Sequence, residues 1–266
     1  MMQPREPVHT ISRRELKRRA LELRGAGRLY KLPNPRLDNT FAGSVSRYCE
    51  IAWLLRRCPR VLDVGAGQGL MLSLLHELGH ECHALDINDV TKAYPDIYGA
   101  RSIRAGVCNV EVDRFPYDDN FFDGATCCQV LEHFTHSHLP AMREMLRVLK
   151  PGGLVELDVP NVACFRNRSR LLRGKNITWE YETAYLRAEP ILHQGRSFFP
   201  GRHNREFTRD ELRRLLEVAG FTDIEVSFLK SRRHRTGWEK LRSIGTALKD
   251  SVPSLRKTLL ATGRKP

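Results

Sequence analysis

From Arg60 onward, short apolar runs alternate with segments of helical period. Arg60–Val64, Cys82–Ile87, Ile103–Val107, Ala125–Leu131 and Leu154–Val159 read as strands, and Leu70–Leu78 and Leu139–Leu149 as helices. Gly79 ends the first helix; Lys150-Pro151-Gly152-Gly153 stops the second. Strands apolar on both faces and separated by helices predict a parallel sheet between helical layers, an α/β fold. Ile224–Leu229 and Thr258–Gly263 read as final strands, and Thr208 with Glu211 caps a helix that Gly220 ends. Upstream, Ser12 and Glu15 fit a capping box for a helix over Ser12–Arg24, with Leu16, Ala20 and Leu23 as its apolar stripe. Gly25, Gly27, Pro33 and Pro35 mark a loop before a second helix over Ser46–Arg57. This divides the chain into a basic helical cap over 1–44 and a main domain over 45–266, with an irregular insertion at about 160–207.

Composition sets the outer limits. The apolar fraction of 41% across 266 residues is enough for a packed core. No run reaches the 18 apolar residues of a membrane span, and no apolar stretch follows the basic N-terminus as a secretory signal would need. Seven cysteines, an odd number without a C-x-x-C pair, predict free buried thiols and a cytoplasmic protein. The net charge of +13 is concentrated at the ends. Residues 1–36 hold ten Lys/Arg against three Asp/Glu, residues 228–266 eleven against two, and the middle 23 against 26. Basic ends suit phosphates, an anionic membrane face or solvent alone.

The main chemical signal is Val61-Leu62-Asp63-Val64-Gly65-Ala66-Gly67-Gln68-Gly69. A buried strand enters a glycine turn and then a helix, whose free N–H groups favour an anionic group. The spacing is G-x-G-x-G, not the G-x-G-x-x-G of dinucleotide folds. Asp63 would repel a pyrophosphate but suits a cationic amino group. Asp86 closes the next strand, where a carboxylate can accept ribose hydroxyls. Separately, Asp63 could be a turn carboxylate and Asp86 a helix cap; on consecutive strand tips they point to a nucleoside carrying an amino acid.

These residues, with Leu85–Ile87, Phe115–Asp123 and Leu146–Gly153, make the chain resemble the class I S-adenosylmethionine-dependent methyltransferases, in particular the type 11 group. The resemblance implies a Rossmann-like, seven-stranded, mostly parallel sheet between helices, with the last strand antiparallel. It implies that Gly65, Ala66, Gly67 and Gly69 wrap the methionine part of S-adenosyl-L-methionine. Asp86 and Ile87 would meet its ribose, Asn109 and Val110 its adenine, and Gln129 would lie beside the sulfonium. Asn109 stands where relatives often carry an acid and would accept the adenine amine through its amide oxygen. In some quinone-methylating relatives the stretch Gln129–His133 supplies two acids and a histidine to a metal. Here Gln129 replaces the first acid, and a neutral amide is a poor ligand for a hard cation, so no required metal is expected.

His133 is the first candidate base for a hydroxyl acceptor, or else a packing residue. His203 is the second; His203–Thr208 is similar to a stretch in methyltransferases of bacterial surface-polysaccharide and lipid-linked sugar pathways. In the insertion, Arg166, Arg168, Arg170, Arg173 and Lys175 could clamp phosphate or carboxylate. Trp179, Tyr181, Tyr185, Phe198 and Phe199 could stack on an acceptor or simply pack a lid. No Asn/Asp-Pro-Pro-Tyr/Phe follows strand four, which weakens base methylation and makes nucleic acid an improbable partner. A helix over Ser231–Lys249, with Trp238, Leu241, Ile244 and Leu248 on one face, suits the sheet or an anionic membrane. The leading expectation is methylation of a hydroxyl on a sugar or glycan precursor, phosphate-bearing or lipid-linked. The rivals are a quinone or other lipid-like aromatic, and an RNA.

Overall fold

The computed structural model describes residues 11–178, 180–230 and 251–266. The expected helix over Ser231–Lys249 and the ring of Trp179 lie outside the described residues. Helix α1 spans Arg13–Gly25, and the Ser12 hydroxyl accepts the Glu15 N–H at 3.2 Å. Only half of the capping box forms, because the Glu15 carboxylate pairs with Arg18 instead. Helix α2 spans Pro35–Leu54, with Asn34 as its cap and Pro35 in its first turn. Its start is eleven residues earlier than the sequence reading placed it. Pro35 opens a helix here instead of marking a loop, since its missing N–H is one a first turn never uses. The division expected between residues 44 and 45 therefore falls inside one unbroken helix.

The alternating part follows: β1 Arg60–Val64, α3 Leu70–Glu77, β2 Glu81–Asp86, the single turns α4 Val90–Ala93 and α5 Pro95–Tyr98, then β3 Arg104–Val107. Next come β4 Phe122–Cys128, α6 Leu139–Val148 and β5 Leu149–Pro160. The insertion holds α7 Phe165–Leu171, a π-helical turn Tyr181–Leu186, and a hairpin of β6 Ile191–His193 and β7 Arg196–Phe198. Helix α8 Arg209–Ala219 and strands β8 Thr222–Leu229 and β9 Thr258–Arg264 complete the chain. The full capping box expected at Thr208 and Glu211 is present.

Seven strands form one sheet in the order β3-β2-β1-β4-β5-β9-β8. Strand β9 is antiparallel to both β5 and β8, and the other pairings are parallel. The sheet thus has the expected Rossmann-like form, with its last strand the reversed one. Alternate residues feed two cores. Val61, Cys82 and Ala84 face α1, α2 and α3, while Leu62, Val64 and Leu85 face α6 and α8. The strand order reverses between β1 and β4, so their carboxyl ends open a crevice suited to a ligand. Strand β4 stops at Cys128, three residues before its expected end. Gln129 adopts a left-handed φ of 55° and donates its N–H to the Asp158 carbonyl at 2.9 Å, and Leu131–His133 coils into a 3₁₀ turn.

Arg147 ties two of the recognised stretches together. Its guanidinium donates to the carbonyls of Phe115 and Tyr117 and pairs with Asp119 and Glu144. One side chain on α6 thereby holds the loop leading into β4.

Candidate active site

The glycine loop joins β1 to α3 through three left-handed glycines. A Cβ on Gly65 (φ 79°) would lie 2.4 Å from Val130 Cγ2, so its absence lets the β1 tip meet the turn after β4. Gly69 (φ 72°) caps α3, and a Cβ there would strike Ile97 and the Tyr98 ring at 2.9 Å. Nothing lies within 4 Å of a Cβ on Gly67. From behind, the Tyr98 hydroxyl donates to the Gly67 carbonyl at 2.9 Å, and Gly65 and Ala66 donate to the Leu85 carbonyl. Asp86 accepts the Gly67 N–H through Oδ2 and the Asn88 N–H through Oδ1, each at 2.9 Å. Asp86 therefore sets the loop as well as presenting remaining lone pairs to the crevice.

A cavity of about 200 Å³ opens beside this loop. Of the residues singled out from sequence, Gly65, Asp86, Ile87, Asn109, Val110 and His133 line it. Ala66, Gly67, Gly69, Asp63, Gln129 and His203 do not. Phe198, one of the aromatics singled out in the insertion, also lines it, and Pro200 adds a wall that the sequence reading did not assign. The Asn109 amide oxygen accepts the Glu111 N–H at 3.3 Å, and its buried Nδ2 has no hydrogen-bond partner. The unpartnered group is a donor, suited to a ring nitrogen. Glu111 is spent on the Thr135 and His136 backbone N–H groups.

Beneath the loop, Asp63 is 3% exposed, its backbone is paired within the sheet, and no hydrogen bond reaches its carboxylate among the described residues. Burial, then the charges of Asp86 and Asp158, push its carboxyl up to about 7, against the pull of Arg47. Arg47 projects from α2 and binds Asp158 at 3.0 and 3.3 Å. Asp158 and Glu156 are fully buried on β5 and both raised, chiefly by burial; Glu156 takes the Thr126 hydroxyl at 2.5 Å. Spacing gave no hint of Arg47, because its partner lies 111 residues away. The unpartnered carboxyl, the glycine loop and the Asp86 slot fit a nucleoside carrying an ammonium group. Bound there, S-adenosyl-L-methionine supplies an electrophilic methyl group.

At the cavity mouth the ring of His133 meets that of His203 edge-on, with centroids 4.9 Å apart. His133 Nδ1 donates to the Arg202 carbonyl at 2.8 Å, which leaves the Nε2 lone pair free. Burial lowers its pKa. Glu206, 3.5 Å from His203 Nδ1, raises that of His203. Glu132 is 1% exposed, and burial pushes its carboxyl up to about 8. Donor atoms of Glu132, His133 and His203 all lie within 4.8 Å of one another. Three of the insertion cations are tethered within their own segment. Arg168, Arg170 and Arg173 donate to the carbonyls of Ala163, Asn176 and Ser169 in their own loop. Cys127 and Cys128 pack in the sheet with thiols raised well above their usual range by burial. No helix among the described residues is long and apolar enough to cross a membrane.

A family description of a methyltransferase domain matches residues 9–226. Among curated relatives, the ubiquinone/menaquinone biosynthesis C-methyltransferase UbiE of Pseudomonas fluorescens is 34% identical over 153 residues, 52% of this chain and 59% of that protein. Its namesake in Azotobacter vinelandii is 39% identical over 118 residues, 41% of this chain and 46% of that protein. The chain thus spans about half the length of these relatives. A SAM-dependent methyltransferase of Archaeoglobus fulgidus has the same fold, with a TM-score of 0.51 at 18% identity over 82% of this chain and 94% of its own. With the sheet order and glycine loop in place, the match over most of its length puts the chain in the methyltransferase-domain family.

Proposed function

We propose that the protein methylates a small aromatic acceptor bearing an ionisable hydroxyl, a phenol or hydroquinone. The observation that carries this reading is the fixed tautomer of His133. With Nδ1–H held on a backbone carbonyl, Nε2 presents a lone pair beside the cofactor cavity. The acceptor hydroxyl docks at this centre and gives up its hydrogen-bonded proton there. Ionising a phenol raises electron density on oxygen and on the ortho and para carbons, so one arrangement serves either O- or C-methylation. Asp63 holds the cofactor's ammonium group, Asp86 its ribose and Asn109 its base.

Two features favour an aromatic over the sugar hydroxyl of the sequence reading. The weakly basic His133 suits an acidic hydroxyl, and three insertion arginines are each tethered through Nε to a carbonyl of their own loop, which restricts how they could close on a phosphate. Phe198, Phe199 and Tyr185 flank the site, and the naming of the UbiE relatives is in accord. The test is transfer of labelled methyl to a panel of hydroquinones, catechols and nucleotide sugars. Turnover on aromatics alone is expected. His133→Ala should lower it by roughly 10²–10⁴-fold while cofactor affinity stays within a few-fold. Methylation confined to the sugars would overturn the reading.

A further inference from the structure

We infer that Glu132, His133 and His203 form a binding site for one divalent transition-metal ion. The sequence reading argued against a metal from Gln129 alone. The fold changes the donor set by carrying His203, seventy residues downstream, against His133. Three features mark a built site. First, Glu132 is almost wholly buried, yet its Oε2 has no hydrogen-bond partner. A buried carboxylate oxygen without a partner is costly unless a cation meets it. Second, each histidine has an outer partner on Nδ1: the Arg202 carbonyl at 2.8 Å for His133 and the Glu206 carboxylate at 3.5 Å for His203. Metal-ligating histidines are oriented in this way, with Nε2 left for the ion. Third, the strand ends nearby are rich in buried carboxyls: Asp63, Glu132, Glu156 and Asp158 are all 3% exposed or less, and the half-buried Arg47 pairs with Asp158.

The site is mechanically supported. The Glu132 carbonyl accepts the Asn204 and Arg205 N–H groups, and Asn204 Nδ2 donates to the His133 carbonyl at 2.9 Å. Glu206 is itself held by Asn167 at 2.6 Å. The backbones of the two ligand segments are thus tied together before any ion arrives. The 4.8 Å spread of the donor atoms exceeds the edge of roughly 3.4 Å that bonds of about 2.0–2.1 Å give a tetrahedral ion. Binding must draw in a ring, and half-exposed His203 is the one free to move. Two imidazoles and one carboxylate favour zinc, cobalt or iron(II) over magnesium or calcium, which prefer all-oxygen shells. Three protein ligands leave a position open. There the acceptor's oxygen, in place of its hydrogen bond to His133, would coordinate the ion and lose its proton to solvent. That last role rests on the function proposed above; the ion's binding does not.

The experiment uses the full chain, stripped with a chelator, dialysed and titrated with zinc or cobalt(II) in the absence of any acceptor. One equivalent per chain is expected, with a cobalt absorption spectrum of nitrogen and oxygen ligation. Glu132→Gln and His203→Ala should each weaken binding at least 100-fold, and Glu206→Gln by about 10- to 100-fold. Calorimetry with S-adenosylhomocysteine checks that each variant is folded; should His203→Ala fail that check, His203→Gln and Glu206→Gln carry the test. No uptake by the native chain, or uptake unchanged in the folded variants, overturns the site. Uptake with no methylation of aromatics would sink the proposed acceptor and leave the metal site standing.

Discussion

Around the glycine loop, positioning bonds join neighbouring βα units: Gly67 to Asp86 across 19 residues and Tyr98 to Gly67 across 31. Around the acceptor side they leap further. His133 reaches the Arg202 carbonyl across 69 residues, Asn204 reaches back to the His133 carbonyl across 71, and His193 meets Asp113 across 80. The first region needs glycines and acids at set intervals, because left-handed turns and strand-tip carboxylates demand those residue types. The second relies heavily on backbone carbonyls, which every residue owns. Cofactor recognition is therefore written in residue identity, and acceptor recognition largely in how the chain folds back.

For cofactor affinity and stability, changes on the cofactor side should then be the more severe. Asp86→Ala, which removes the loop's anchor and the ribose acceptor together, is expected to weaken cofactor binding by about 2–4 kcal/mol, on the order of 30- to 1000-fold, in calorimetry. Unchanged affinity would break the contrast. Gly65→Ala combines a left-handed strain of about 1–2 kcal/mol with a clash of about 1–3 kcal/mol against Val130, read as a lower melting temperature. Adding Val130→Ala should recover only the clash.

The pH response of Asp63 sharpens the comparison. Its folded carboxyl, at about 7 against 3.8 for the free group, holds a proton that the unfolded chain gives up. Stability of the cofactor-free protein should fall as pH rises between those values. Cofactor binding has the opposite sign, since the ammonium group needs the ionised form. Affinity should climb by up to about tenfold per pH unit toward neutrality and level off above it. Asp63→Asn should flatten that profile in calorimetry. The smallest effect belongs to the acceptor side. Tyr185→Phe loses one 2.6 Å bond to the His203 carbonyl, about 1 kcal/mol, seen as a small melting shift with cofactor affinity intact.

This division explains what the sequence disclosed. Strand alternation and the placing of Asp63 and Asp86 at neighbouring strand ends were legible because each depends on local period or spacing, while the reversed β9 was expected only from the family resemblance. The end of β4 was not. Gln129 takes a left-handed backbone that its side chain does not advertise, and the apolar run continues past it into the 3₁₀ turn. Nothing in the sequence showed that the Asn109 amide oxygen would meet the Glu111 N–H while its Nδ2 was left without a partner. Pro200 and Arg47 reach their sites from segments whose distance in sequence hides them.

The unbroken course of α2 bears on how this enzyme can be recombined. Its second half carries Arg47, whose guanidinium neutralises Asp158 on the central sheet. A chimera joined at residue 44 would keep Arg47 with Asp158 but splice two helix halves of different parentage, setting a foreign first half, in place of the buried Leu37 and Phe41, beside the native Val45, Tyr48 and Ile51. Exchanges of acceptor specificity should instead cut before Asn34, so that the entire helix travels with its own sheet.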